Sequence, residues 1–261
     1  MHITFLGTGP IKPIPRPRCQ SAACLDAKKN NSKSKRSRSS IIIKNKNLNL
    51  LLDVSPDFLK QIKKNKIKKI DAALITHPHF DAYGGIKQLD NWLNSPIPIY
   101  CRMQTWQIIK KKFKSPNNLF WQEITPYKIF RIKSLPILPL PVYHSIINEE
   151  KFPTLAYKIK NLIYCSDVKK IPTKSLSYFK NIKTLILDAA MYFNRQIFSH
   201  LNTTDAINLG DKLKVKNLYL TQIGHSYPPH NQAVREIKKY ISQNKIRLKV
   251  CLAYDGQKIK P

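Results

Sequence analysis

The sequence predicts an α/β layered fold in which helices cover two packed β-sheets. Three observations carry that reading. Ten short apolar runs have the length and near-continuous apolar character of strands buried on both faces. Five amphipathic stretches have the length of helices. The early strand runs follow one another directly, whereas the later ones alternate with helices. With 261 residues, 42% hydrophobic and 10% aromatic, the chain can enclose a sizeable core. No internal repeat or long linker divides it, so a single domain over 1–261 is expected.

The strand runs are His2–Leu6, Ile41–Lys44, Leu48–Leu52, Ala72–Thr76, Ile97–Cys101, Leu155–Ile159, Leu162–Cys165, Thr184–Asp188, Leu218–Thr221 and Val250–Ala253. The helical stretches are Pro56–Lys64, Ile86–Leu93, Thr105–Lys112, Thr204–Leu213 and Gln232–Ile241, with Asn202 or Thr203 placed to cap the fourth. Two segments read as surface loops. PIKPIPRPRC (10–19) has too many prolines for a helix or a central strand, and KKNNSKSKRSRSS (28–40) is polar enough to be mobile.

The charge is extreme, with 46 Lys and Arg against 15 Asp and Glu and a formal net charge of +31. Eleven basic residues and one acid, Asp26, lie between Lys12 and Lys46, and KQIKKNKIKK (60–69) holds six lysines. That balance favours polyanionic partners such as phosphorylated substrates, RNA or acidic membrane surfaces. Lys, Asn and Ile are abundant together, as A/T-rich coding produces, so charge alone names no ligand. Five cysteines in so long a chain do not make a disulfide framework. The N-terminus lacks a signal-peptide pattern, and no apolar run approaches the ~20 residues needed to span a bilayer. A cytoplasmic protein with no membrane insertion is expected.

The chemistry concentrates in THPHFDAYGGI (76–86), which follows the buried-strand run DAALIT. His77 and His79, two apart in an extended loop, point the same way and can reach one ion. Asp81 continues the alternation, and Gly84 and Gly85 permit a tight turn into the next helix. Other apolar runs also end in ligand-type residues: LNLLLD in Asp53, PLPVY before His144, and LIYCS before Asp167. Strand ends are where α/β sheets present side chains to ligands.

On these motifs the chain resembles the metallo-β-lactamase superfamily. The branch it resembles contains the phosphoribosyl 1,2-cyclic phosphate phosphodiesterases and, more distantly, the tRNA 3′-processing endonucleases. The likeness runs in order through HITFLGTG, RSRSSIII (36–43), LLDVSPDF (51–58), THPHFDAYGG, YHS (143–145), YCSDV (164–168), LYLTQIGH (218–225) and AYDG (253–256). It implies a four-layer αββα sandwich.

It also implies a first metal held by His77, His79, His144 and the bridging Asp167. Asp81 and Asp167 would belong to a second metal, but Ala82 and Gln222 stand where that metal needs histidines. Alanine offers no donor, and an amide oxygen is a weak substitute for imidazole. The expected cofactor is therefore one divalent transition metal, zinc or manganese, with no complete set for a second. Asp81, released from a second ion, becomes a base or water-orienting group, and His200 matches a histidine that assists catalysis. Asp53 and Asp188 are expected to orient the site, and Asp255 to sit in a turn. A structural zinc would use Cys19, Cys24 and His225, with Ser21 in the place of a third thiol.

The function expected is metal-dependent hydrolysis of a phosphodiester, a small cyclic phosphate foremost. The alternatives are a catalytically impaired protein binding a phosphorylated ligand or RNA, and an RNA-processing nuclease. The partner is an anionic phosphorylated small molecule or RNA, and a homodimer is among the expected assemblies.

Overall fold

The computed structural model describes residues 1–113, 116–145 and 154–261. Among the described residues the strands form two seven-stranded sheets. The first contains β1 (His2–Gly7), β2 (Ser40–Asn45), β3 (Leu48–Leu52), β4 (Ala72–Leu74), β5 (Ile97–Cys101), β6 (Leu119–Glu123) and β14 (Lys258–Ile259), in the order β14-β1-β2-β3-β4-β5-β6. The second contains β7 (Phe130–Ile132), β8 (Leu135–Val142), β9 (Thr154–Ile159), β10 (Leu162–Cys165), β11 (Thr184–Asp188), β12 (Asn217–Thr221) and β13 (Lys249–Leu252), ordered β13-β12-β11-β10-β9-β8-β7.

Alternation along each strand builds the layers. Leu50 and Leu52 face inward with Phe5, Tyr157, Tyr164 and Ile186, filling the space between the sheets. Leu51, between them, faces out and packs with Phe58, Ile62, Leu89 and Ile109 of α2 (Phe58–Asn65), α4 (Ile86–Trp92) and α5 (Met103–Lys112). The outer face of the second sheet packs on α7 (Thr203–Lys212) and α8 (His230–Gln243) through Ala206, Ile207, Ala233 and Ile237. Strands buried on both faces explain the unbroken apolar runs, each fully buried Leu or Ile contributing roughly 1.5–3 kcal/mol of transfer free energy. The architecture is the expected αββα sandwich.

Several elements differ from expectation. The strand β8 reads LPILPLPV, and its prolines hide it. The Pro139 and Pro141 carbonyls accept hydrogen bonds from Tyr127 N (2.9 Å) and Ser175 Oγ, on the side away from β9, so neither ring interrupts the β8–β9 ladder. β6, β7, β14 and the short helices α1 (Ala22–Asp26), α3 (Phe80–Tyr83) and α6 (Thr173–Leu176) are likewise additions.

The 28–40 run is only partly a surface loop. Ser34, Arg36, Ser39 and Ser40 are buried, and Arg36 pairs with Ile14 in an isolated bridge while its guanidinium bonds to Thr8 Oγ1, the Ala253 carbonyl and His230 Nδ1. Asp255 is more than a turn residue. Its carboxylate accepts from Thr8 Oγ1, Ser37 N and Ser37 Oγ, tying β1 to the start of β2.

Candidate metal centre

The site lies where loops leave β3, β4, β8, β10, β11 and β12. Its groundwork is a carboxylate on β3's end. Asp53 Oδ1 accepts from Thr76 N (2.8 Å) and Thr76 Oγ1 (2.9 Å), and Oδ2 accepts from Tyr164 OH (3.1 Å). Because the Thr76 hydroxyl donates to Asp53, it accepts from His77 Nδ1 at 2.7 Å. That fixes the tautomer and leaves His77 Nε2 as a lone pair aimed into the site. Nε2 is buried with no hydrogen-bond partner, 3.9 Å from Asp167 Oδ1.

His144 is fixed in the same way. Its Nδ1 donates to the Ser199 carbonyl (2.9 Å), so Nε2 carries the lone pair and meets His79 Nδ1 at 3.1 Å. The three rings stand edge-on at centroid separations of 4.8, 5.4 and 4.8 Å. A tetrahedral ion with Zn–N bonds of 2.0–2.1 Å separates neighbouring donor atoms by about 3.3 Å. The sequence-expected ligands His77, His79 and His144 therefore meet as a set within 4.8 Å of one another, and Asp167 meets His77 and Asp81 in an overlapping set.

Charge states suit a cation. Burial pushes His77 down to about 3 and His79 down to about 4, and lowers His144, so all three are neutral ligands at pH 7. Burial would raise Asp167, but His77, His144 and His200 outweigh it and hold the carboxyl below the usual range. Burial, then the Asp167 charge, pushes Asp81 up to about 7. His200 goes the other way. Burial opposes its charge, but Asp188 Oδ2 at 2.7 Å from Nδ1 raises it to about 9. Its ring packs on His144 at 4.7 Å. Asp188 is held by Val168 N and Ala190 N, so Asp53 and Asp188 both orient histidines, one through Thr76 and one directly. Thr76 was not singled out in the sequence, although its place directly before His77 in THPH was the available sign.

The family model for the beta-lactamase superfamily domain matches residues 48–223, the stretch containing all of these candidate ligands. The chain belongs to the metallo-β-lactamase superfamily. Solved structures share the fold over essentially the whole chain. A diphosphatase from the PhnP family is 24% identical, covering 100% of this chain and 97% of that one, with a TM-score of 0.85. Zn(2+)-bound PqqB from Methylobacterium extorquens is 17% identical, covering 100% of both chains, with a TM-score of 0.82. The short form of human tRNase Z is 17% identical, covering 100% and 99%, with a TM-score of 0.68. A curated relative, octanoyltransferase from Porphyromonas gingivalis, is 25% identical over 271 residues, covering 100% of this chain and 53% of that protein. The chain thus spans about half the length of that relative.

The departures are equally visible. Ala82 is buried, and its methyl group can donate nothing to an ion. Gln222 adopts φ 61° and its Nε2 donates to Asp167 Oδ2 at 2.7 Å. An N–H donor therefore occupies one of the two Asp167 carboxylate oxygens. The first set fits a metal, and the second does not.

The cysteine site is also incomplete. Cys19 Sγ lies 3.3 Å from His225 Nδ1 and 3.3 Å from Ser21 Oγ, and Cys24 is fully buried. Ser21 Oγ already caps α1 by accepting from Cys24 N (3.4 Å). Two sulfurs and one imidazole leave a closed structural zinc site one donor short. The three donors lie within 4.8 Å of one another and supply no fourth.

Proposed function

We propose that this protein hydrolyses phosphodiesters, small cyclic phosphates foremost, with one divalent cation held by His77, His79, His144 and Asp167. The observation that carries the reading is the convergence of three neutral imidazoles, two with tautomers fixed toward the centre, beside one anionic carboxylate. A bound cation would polarise a phosphoryl oxygen and bring the pKa of water toward ~7.

The chain's own groups do the rest. Asp81, near 7, can take a proton from the attacking water at working pH. His200 is charged, and with Nδ1 committed to Asp188 its other nitrogen is left to donate to the departing oxygen. Lys169 Nζ donates to the His200 carbonyl (3.2 Å), adding a cation on the side where an anionic substrate arrives. Gln222 holds Asp167 in place of a second ion. The fold neighbours named for diphosphatase and tRNase Z activity support phosphorylated or RNA substrates as the class.

The test is metal content together with turnover of generic phosphodiesters and cyclic phosphates in Zn²⁺, Mn²⁺ or Ni²⁺. One ion per chain with turnover is expected. Absence of turnover with every metal overturns the reading.

A second reading, acyl-ester or thioester hydrolysis, draws on the relative named octanoyltransferase and on an apolar groove of about 610 Å³. Leu59, Phe80, Trp92 and Phe113 line it, and Phe80 sits between His79 and Asp81, so a medium acyl chain could lie beside the metal loop. Faster turnover of an octanoyl thioester than of any phosphodiester would favour it.

A further inference from the structure

We propose that Cys19 and Cys24 form a reversible dithiol–disulfide pair, a modification site for small disulfides of the glutathione class. Cys19 and Cys24 flank Ser21 in sequence and face one imidazole, with no third sulfur in the group. They lie within 4.8 Å of one another and of His225, which brings them close to the range from which a bond can close by a small loop shift.

The two sulfurs have different roles. Cys19 is partly exposed, and its Sγ lies 3.3 Å from Ser21 Oγ and 3.3 Å from His225 Nδ1. It is the attacking group. Cys24 is buried in a small cluster with Ile14 and Ala27, with its Sγ accepting from Arg16 N at 3.4 Å, and it is the resolving group. A cavity of about 530 Å³ opens beside them, lined by Ser21, His225, Ser226, Tyr192, Arg195 and Glu236. Its guanidinium, carboxylate and hydroxyls match the charged and amide groups of a peptidic disulfide. The other three cysteines have no such arrangement. Cys101 and Cys165 are buried in strands, and Cys251 lies on β13.

The steps balance. The Cys19 thiolate attacks one sulfur of the small disulfide and expels a small thiolate. The Cys24 sulfur then attacks Cys19, expelling the second small thiolate, which takes up the Cys24 proton. The protein loses two electrons, and the small disulfide is reduced to two thiols. Closure withdraws the Cys19 sulfur from His225, on the same loop as Gln222.

Intact-mass measurement and thiol alkylation of the full-length protein, incubated with oxidised glutathione near neutral pH, provide the test. Wild type is expected to lose two hydrogens and two alkylatable thiols, both restored by dithiothreitol, with the bridge mapped to Cys19 and Cys24. Cys24→Ser is expected to stop at a single glutathionyl adduct on Cys19, and Cys19→Ser to gain none at Cys24. Wild type that stays a dithiol overturns the proposal, as does stoichiometric zinc whose removal is required before either thiol reacts.

Discussion

The Gln222 amide nitrogen stands 2.7 Å from Asp167 Oδ2, so a neutral N–H group touches the carboxylate that also faces His77 and Asp81. A proton donor satisfies that oxygen without adding charge. Burial, then the Asp167 charge, pushes Asp81 up to about 7 against the smaller pull of His200 and Arg38. The arrangement is consistent with one cation rather than two. Ala82→His combined with Gln222→His is expected to raise metal content from one ion per chain to two, because Asp81 and Asp167 are already in place. Elemental analysis of the dialysed protein reads this directly, and a stoichiometry still at one would show that more than ligand identity has changed.

The first ion should stabilise the fold. His77 and His79 come from the loop after β4 and His144 from the loop after β8, so a cation bridging them adds binding free energy to folding, about 2.7 kcal/mol at a free concentration 100-fold above Kd. Zn²⁺ or Mn²⁺ is expected to raise the thermal midpoint of wild type by several degrees. The His77→Ala/His79→Ala protein should show no such shift. Equal shifts in both would place the ion elsewhere.

Much of this was legible in the sequence because burial on both faces writes long apolar runs, and because ligands sit directly after them. His77 and His79 follow the run of β4 and Asp167 that of β10, whereas His144 follows the proline-rich PLPVY. What escaped was encoded in geometry rather than pattern. The β8 strand is masked by prolines whose ring nitrogens happen to face away from the β9 ladder. Arg36 reads as one more basic residue in a polar run, yet it is buried, held by partners from positions 8, 230 and 253 that no local pattern brings together. The Asp53–Thr76–His77 relay joins residues 23 positions apart, through a threonine that looks like the end of a strand.

The pair of His200 and Asp188 predicts a pH response in the metal-free protein. The histidine's pKa rises from 6.5 to about 9 on folding, so the folded state binds the proton more tightly than the unfolded chain. The contribution is fully present below about 6.5 and is lost as pH rises through about 9, on the order of 3 kcal/mol. Urea unfolding of wild type and His200→Gln across that window should show a gap at acidic pH that closes at alkaline pH. A gap of constant size would mean that His200 supports the fold by packing alone.

The glycine pair after the metal loop carries a further prediction, and for a different reason from the turn expected of it. Gly84 and Gly85 have ordinary φ values of −62° and −92°, so neither needs a conformation that other residues avoid. What they need is room. A Cβ on Gly85 would sit 2.1 Å from the Ser55 carbonyl oxygen, and one on Gly84 would sit 2.6 Å from that of Phe80. The close approach exists because Gly85 N donates to the Val54 carbonyl (2.9 Å) and Val54 N to that of Ala82 (2.7 Å), clamping the segment after β3 to α3. Backbone cannot yield as a side-chain tip does, so Gly85→Ala must push α3 and its Asp81 away from the centre. Overpacking of this kind costs about 1–3 kcal/mol. The variant is therefore expected to unfold at lower urea and to bind Zn²⁺ at least several-fold more weakly, both measurable by titration. Gly85→Ala with wild-type metal affinity would show that the loop's position is set elsewhere than at this clamp.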